Sequence, residues 1–466
     1  MSGFFTPESI RKHTGGTFLA RSDQSGECHG VSIDTRELSP GQLFVALHGE
    51  RTDGHDHLQQ AADAGATIAL VERDVEAPAG MTLVKADNCR TALARLASAY
   101  RATLRSTRVV GVTGSNGKTT TVRLLDHVLG SALRGSASRR SFNNELGLPL
   151  TILNARPTDQ YLVCEIGMSN PGEIRKLAAI ARPDVGVITS IGRAHLEAFG
   201  TIAGIAHEKA SLLFELAESG IAIVTADSDE VEPALPPSVP MIRFGERDTA
   251  DLRLTSVEPS REGVRFQLND RAWFEVPLVG AHNAWNAAAT VAVARRLGLS
   301  DEQIAESLRT AAGAAMRLDR RTVAGIEIVN DAYNANPDSM LAALRTFAGL
   351  AENATRRVVI LGDMLELGDA SPREHRAIGE AIAASIDAGE GPDLVVLVGP
   401  AMAEAADPLR NLLPPNMLWL EPEAGDGRSI AERLAPGDAV LLKGSRAMGL
   451  ERVVLALESA QAATGT

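Results

Sequence analysis

Aromatic residues make up only 4% of the chain, with three tyrosines and three tryptophans. That leaves few platforms on which nucleobases could stack. Positive charge is also in deficit: 46 Lys and Arg against 59 Asp and Glu give a net charge of −13. A protein built around nucleic acid carries a basic stripe. Here the basic clusters are pairs such as Arg139-Arg140 and Arg320-Arg321, so no nucleic-acid partner is expected. The three cysteines, Cys28, Cys89 and Cys164, are odd in number, far apart and without a CxxC pair. That argues against a disulfide scaffold or structural zinc and fits a reducing cytoplasm. No apolar run approaches the roughly 18 residues of a membrane span. The N-terminal MSGFFTPESIRKHTGG lacks the apolar core of a secretion signal. The expectation is a cytoplasmic protein with no membrane span.

What is present is an ordinary globular composition, 44% hydrophobic and 23% charged over 466 residues. At about 150 residues per domain that length suggests roughly three domains. The first block, residues 1–105, alternates short apolar segments (GQLFVAL, ATIALVE) with polar turns and one helical stretch, CRTALARLASAYRA. There Leu93, Leu96, Ala97 and Tyr100 recur at helical spacing. The basic stretch Thr103 to Arg108 ends that block. The second, 106–315, opens with the strand RVVGVTG, a glycine-rich turn and the helix TTTVRLLDHVL, and continues with strands in QYLVCEIG, DVGVITSIG and GIAIVTA. Such alternation implies an α/β fold with a mostly parallel sheet covered on both faces. Residues 251–279 break the rhythm and read as an antiparallel appendage. The third block, 316–466, repeats the α/β pattern through RRVVILGD, DLVVLVG and DAVLLKGS. On open sheets of this kind ligands gather at the carboxyl ends of the strands. The terminal ESAQAATGT reads as a frayed tail.

The strongest chemical signal is GVTGSNGKTTT, residues 111–121. Backbone N–H groups from Gly114, Ser115, Asn116, Gly117, Thr119 and Thr120, at the mouth of a helix, would cradle phosphates. Lys118 would reach the outer ones, and Thr119 could place its hydroxyl on Mg²⁺. The strict pattern GxxxxGK[ST] wants glycine where Val112 stands, with Gly111 and Gly114 nearby, so the loop is a variant. The alternative is a plain strand-to-helix turn with Lys118 solvated. The loop alone says nucleotide-handling protein and leaves the substrate open.

TGSNGKTTT resembles the loop of the Mur ligase family, ATP-dependent amide-forming enzymes that include folylpolyglutamate synthetase relatives. The resemblance implies three domains: a small N-terminal α/β domain for a UDP substrate, a central P-loop ATPase-like parallel sheet and a C-terminal Rossmann-like domain. CEIGMSNPGEI and ITSIGRAHLEAFGT are similar to the segments that give the family its metal-binding pair, here Glu165 and His195. Each would stand near the end of an apolar strand. IAHEKASLLFEL places Lys209 where the family carries a lysine that is often carbamylated. Carbamylation would turn a cation that repels Mg²⁺ into an anionic oxygen ligand. Taken alone it reads as a surface lysine on an amphipathic helix. GAHNAWNAAATVAVA resembles the adenine-contacting helix, which implies His282, Asn283 and Asn286 as nucleotide contacts. The family's interdomain arginine falls at Arg317, with Arg320 and Arg321 as close competitors.

Three further stretches resemble the branch that adds D-alanyl-D-alanine to UDP-N-acetylmuramoyl-tripeptide: NDAYNANPDSM (Asn330 to Met340), VILGDMLELG (Val359 to Gly368) with His375 beyond it, and SFNNELGLPLTIL (Ser141 to Leu153). By that resemblance Asp331 and Tyr333 contact the nucleotide. Asn334 and Asn336 lie near the amine substrate, and Asn143, Asn144 and Glu145 form a substrate loop. For Asn336 a turn chosen for backbone geometry is the alternative. KGSRAMGLERVV, with Lys443 and Ser445, is family-like as well. VSIDTREL and VALHGERTDGHDHL imply a UDP site made of Ser32, Asp34, Thr35 and Arg36 in one loop and Asp53, Gly54 and His55 in another. Arg36 would meet the pyrophosphate, or else form a surface salt bridge. Ser141 stands where the family more often has Asn, and Glu208 where a small residue is common. The implied reaction uses ATP and Mg²⁺, with Lys118, His195, Lys209 and Arg317 in the catalytic machinery of a monomer, and passes through an acyl phosphate. It leaves the tripeptide's third residue open between diaminopimelate and lysine. The competing readings are a relative adding another amino acid, folylpolyglutamate synthesis, and a P-loop nucleotide switch that makes no bond.

Overall fold

The computed structural model describes residues 3–49, 52–139 and 142–464. Ser141, where the sequence departs from the family pattern, and Arg140 of the paired arginines lie outside the described residues. Three sheets succeed one another along the chain. The first has five strands, all parallel except the pairing of Thr17–Ala20 with Thr82–Lys85. The second has nine. Its parallel centre runs Gly135–Ala137, Tyr161–Glu165, Arg108–Thr113, Val185–Ile188, Ile221–Thr225 and Met241–Gly245. The third has six, with Ile326–Asp331, Asp438–Lys443, Arg356–Gly362 and Leu394–Val398 at its centre.

The innermost of these strands are apolar at nearly every position because both of their faces are buried. Leu394–Val398 and Tyr161–Glu165 are buried throughout, as expected for parallel strands inside an α/β layer. The helix Asn283–Arg296 is buried along most of its length, which its alanines allow by letting the backbone approach the sheet. The helix Lys118–Gly130 has a narrower stripe, Val122, Leu124, Leu125, Val128 and Leu129, turned to the core.

The antiparallel segment is joined to the main sheet rather than hung on it. Leu252–Pro259 pairs in parallel with Met241–Gly245 for two residues, then carries the antiparallel hairpin Val264–Leu268 and Ala272–Val276. Two expectations are corrected. The first block holds more than one helix: Pro7–Thr14 is capped by Thr6, begins with proline and ends at Gly15 in the left-handed region. Eight residues are too few for its period to stand out. The C-terminal tail is not frayed at Glu458; the helix Glu451–Thr464 runs through it, with Val453, Val454 and Leu457 packed on the third sheet.

The units are fastened by named contacts. Tyr100 donates its hydroxyl to the Ala155 carbonyl at 2.8 Å, and Arg101 reaches the Ala181 and Arg182 carbonyls and the Asp184 carboxylate. Arg193 binds Asp338 through Nε at 2.9 Å and Glu374 through a guanidinium nitrogen at 2.8 Å. The second and third units therefore meet across a cleft.

Candidate active site

The cleft holds a cavity of about 1140 Å³, lined by the 115–120 loop, the ends of strands from the second sheet, and polar residues of the third. Its floor is the start of the helix Lys118–Gly130. Among the described residues no side chain caps that helix, which leaves its first N–H groups open toward the cavity, a ready site for anions. Glycine is required twice in the loop. Gly114 (φ +154°) and Gly117 (φ +84°) lie in the left-handed region. A Cβ on the first would collide with Thr189 Oγ1, and on the second with Asn286 Oδ1. The loop is propped from behind, where Asn116 N–H donates to Ser190 Oγ at 2.9 Å and Ser115 Oγ bonds the Gly192 backbone.

Lys118 folds back to donate to the Gly114 carbonyl at 2.7 Å. Removal from water and the nearby Arg317 guanidinium lower its pKa, while Glu165 and Glu366 oppose the shift. Arg317 comes from the connection into the third sheet, between Met316 (φ +58°) and Leu318 (φ +50°). Two left-handed non-glycine residues are costly, and the turn is held by Leu318 N–H to Asp331 Oδ1 at 3.2 Å and Tyr333 N–H to the Met316 carbonyl at 3.2 Å. The guanidinium stacks over Tyr333, 4.4 Å from the ring centre, and donates to Thr119 Oγ1 at 2.9 Å. Among the three competing arginines it is Arg317 that reaches the phosphate loop.

Glu165 ends its strand with a carboxylate that is 1% exposed. One oxygen accepts the Asn143 amide at 2.8 Å; the other, Oε2, is buried with no hydrogen-bond partner among the described residues. An anionic oxygen left dry is costly, so this atom fits a cation. His195 lies seven residues past its strand, at φ +62°, and faces the same cavity. Among the described residues no cluster of three or more His, Cys, Asp or Glu side chains suits a metal. A cation here would draw its remaining ligands from Thr119, phosphate and water, which is the habit of Mg²⁺. Lys209 stands behind the cavity wall and is no surface lysine: it is 1% exposed, and its amine meets Met168 Sδ at 3.7 Å. Burial first, and then the Lys118 charge, bring its pKa well below the usual lysine value. A neutral amine is the form that can take up CO₂. Its neighbour Glu208 has a plain reason to depart from a small residue, since its carboxylate accepts the Gly172 and Ile174 N–H groups at the start of the helix Glu173–Ala181.

Asn283 and Asn286 bond each other at 3.0 Å at the cavity wall, with His282 beside them. Asp331 pairs with the buried Lys443 at 2.7 Å, and Lys443 also donates to the Asn334 carbonyl. Asn336 caps the helix Pro337–Leu350 and reaches across the cleft to Asn116 at 2.8 Å. Its geometric role is therefore present alongside any contact with substrate. His375 is fully buried, its Nε2 accepting the Met364 N–H at 3.0 Å, and belongs to the framework.

Asn144 lines the cavity beside Asn143, whereas the remaining candidates are not brought to it. Glu145 pairs with Arg90 of the first sheet's helix at 2.9 Å. Asp34 and Arg36 form an exposed ion pair at 2.6 Å, the salt bridge the sequence left open for Arg36. Ser32 bonds within the same turn, and Thr35 reaches Gln60 at 3.5 Å. Asp53 accepts both the N–H and the ring Nδ1–H of His55, whose Nε2 accepts the Glu72 N–H at 3.0 Å. Gly54 is pressed against the Leu47 backbone. Sequence reasoning missed Arg193, Asp338, Glu366 and Glu374, although the first three stand inside the quoted motifs, because their partners are more than a hundred residues away.

Profiles of known families match in three places: "Mur ligase family, catalytic domain" over residues 27–101, "Mur ligase middle domain" over 112–294, and "Mur ligase, glutamate ligase domain" over 316–446. The UDP-N-acetylmuramoyl-tripeptide–D-alanyl-D-alanine ligase of Bacillus subtilis is 36% identical over 458 residues, covering 96% of this chain and 97% of its own. The Escherichia coli protein of that name is 33% identical, covering 92% and 93%. Among solved structures, MurF from Acinetobacter baumannii superimposes with a TM-score of 0.84 at 31% identity, covering 97% and 99%. MurF from Thermotoga maritima in complex with ADP does so with 0.77 at 28%, covering 94% and 98%.

Proposed function

The chain belongs to the Mur ligase family, and from that premise we propose that it joins D-alanyl-D-alanine to UDP-N-acetylmuramoyl-tripeptide using ATP. The product is the UDP-muramoyl-pentapeptide of peptidoglycan synthesis. The observation that carries this reading is the cavity in which the phosphate loop, Glu165 and His195 face Arg317, Asp331 and Asn334 of the third sheet. We take residues 1–105, 106–315 and 316–466 as the UDP-substrate, ATP and amine-substrate units of a monomer in the cytoplasm.

The tripeptide's terminal carboxylate attacks the γ-phosphorus of ATP, and ADP leaves. Lys118 and Arg317 neutralise charge on the transferred group, as do the N–H groups of the helix start. Thr119, Glu165, His195 and a carbamylated Lys209 would hold Mg²⁺, which when bound would disperse charge on the phosphate oxygens. The amine of D-alanyl-D-alanine then attacks the acyl phosphate; the amide forms, inorganic phosphate departs and the amine's proton goes to solvent. Most of the acceleration comes from positioning, since each unit contributes one ligand. Closure of the cleft protects the acyl phosphate from water. His282, Asn283, Asn286, Asp331 and Tyr333 bind the nucleoside; Ser32, Asp34, Thr35, Arg36, Asp53, Gly54 and His55 bind the UDP end. Asn143, Asn144, Glu145, Asn334 and Asn336 border the peptide substrates.

Phosphate release from Mg²⁺-ATP tests the reading. It is expected to need both the UDP-tripeptide and D-alanyl-D-alanine and to yield a pentapeptide by mass. Release supported by glutamate or diaminopimelate would move the chain to another branch. Release indifferent to every peptide substrate would restore the nucleotide switch.

A further inference from the structure

We propose that Glu366, from the third sheet's side of the cleft, is the positioning residue that orients the His195 imidazole, so that closure of the C-terminal unit completes the cation site. The proposal rests on the reading of His195 as a ligand. His195 is poorly fixed by its own unit. It sits in a loop beyond the strand Val185–Ile188, in a left-handed conformation, at the head of a helix only four residues long. Glu366 meets its ring as an ion-pair contact, with Oε2 2.6 Å from Nδ1 but off the direction of a hydrogen bond, so that a small turn of the carboxylate or the ring would complete it. Backbone contacts surround that meeting: Glu197 N–H donates to the Glu366 carbonyl at 3.0 Å, and Gly368 lies against the Glu197 backbone. Glu366 is itself left-handed, at φ +63°, a conformation an L-residue keeps only when its surroundings impose it.

A carboxylate on Nδ1 keeps the proton on that nitrogen. It leaves the Nε2 lone pair for a cation. The two candidate ligands thus differ in origin of support. Glu165 is steadied by Asn143 of its own unit at 2.8 Å, whereas His195 is steadied across the cleft. When the cleft opens, Glu165 keeps its orientation and His195 loses it. Such an arrangement ties full cation binding to the closed state, in which the acyl phosphate is shielded from water.

Mn²⁺ in the ADP complex of the full-length protein provides the test, since it is paramagnetic and reports directly bound imidazole nitrogen by electron spin-echo spectroscopy. Wild type is expected to show nitrogen coupling that His195→Ala abolishes. Glu366→Ala is expected to weaken Mn²⁺ binding about tenfold, the scale for losing a carboxylate behind a metal-bound histidine, and to diminish the nitrogen signal. Glu366→Gln, which keeps the shape and an acceptor, should recover part of both. Arg193→Met supplies the control, because it removes the Asp338 and Glu374 contacts that join the same two units without touching His195. Wild-type affinity and coupling in Glu366→Ala would overturn the proposal. So would an equal loss in Arg193→Met, which would reduce Glu366 to one docking contact among several. Nitrogen coupling that survives His195→Ala would instead overturn the ligand reading on which the proposal rests.

Discussion

The cleft and the loops of the first sheet satisfy their polar groups in opposite ways. In the cleft and its wall, valences are left open among the described residues: Glu165 Oε2 has no donor, the Lys209 amine meets a sulfur alone, and the first N–H groups of the helix Lys118–Gly130 have no side-chain cap. In the first sheet, Asp34 closes on Arg36, and Asp53, His55 and the Glu72 N–H form a finished chain. Buried polar groups are ordinarily paired, so the first arrangement is tolerable only if ligands complete it. The second is complete already, and a ligand arriving there must either add to its surface or displace an ion pair. The cleft is built around what it binds, whereas the loops are built first and bind afterwards.

If that contrast holds, losses in the cleft should strike chemistry and spare stability. Lys118→Ala should lower phosphate release by about 10³-fold, the upper range for removing one charge-stabilising donor, with an unchanged melting temperature. A melting temperature that falls together with the activity would show that Lys118 belongs to the framework. Lys209→Met should lower activity by about 10–100-fold, as loss of a group supporting a metal centre does, and here a pH signature is expected as well. The folded-state amine titrates well below its ordinary value because it is buried and close to Lys118, whereas in the unfolded chain it titrates near ~10.4. Between those two points the unfolded chain holds the extra proton. Wild-type stability should therefore climb with pH through that window and level off above ~10.4. In CO₂-free buffer, denaturant titrations at successive pH values should show wild type gaining on Lys209→Met as pH rises. Parallel curves would mean that the amine is not held neutral.

The same contrast explains what could be read from the sequence. Gly114, Gly117 and Lys118 were legible because a phosphate loop is a local device, its backbone geometry and its lysine packed into a few residues. The parallel strands were legible for a similar reason, since burial on both faces makes each one continuously apolar. Glu366 and Arg193 were not, because their meaning lies in partners supplied by another unit: Glu366 acts on a histidine 171 positions earlier, and Arg193 binds Asp338 145 positions later. Asn336 was half legible. Its place before Pro337 announces a helix cap, but nothing local announces the bond to Asn116. Lys209 was misleading in isolation, because a helix of nine residues with a lysine near its end reads as solvated until Met168 and the second sheet close over it.

In the first sheet the sign of the comparison should reverse, with stability struck before chemistry. His55→Ala removes the acceptor of the Glu72 N–H and a donor to Asp53 inside a buried turn. A cost of about 1–3 kcal/mol in unfolding free energy is expected from the groups left unpaired, with the KM for ATP unchanged. Urea titration and steady-state kinetics on the same preparation would check both halves. Unaltered stability with a raised KM for the UDP substrate would leave His55 a ligand-binding group with no structural share.

The smallest effect belongs to the exposed pair, and it separates the two ways in which a finished surface can bind. The Arg36 guanidinium brings the Asp34 carboxyl down to about 2. Any stability this adds is complete above the unfolded value near ~3.9 and is lost as pH falls toward the folded one. Both partners are open to solvent, so salt should erase most of it. Acid unfolding of Asp34→Asn should differ slightly from wild type at low salt and coincide with it in about 1 M salt, where charges a few ångströms apart are screened. Arg36→Ala should leave the melting temperature unchanged at neutral pH, yet raise the KM for the UDP substrate several-fold while that for ATP stays fixed. If instead Arg36→Ala left both KM values alone, the guanidinium would be a partner for Asp34 and nothing more. The UDP end would then have to be held by groups already satisfied within the turn, chiefly Ser32 and Asp53, and binding there would add to a surface without rearranging it.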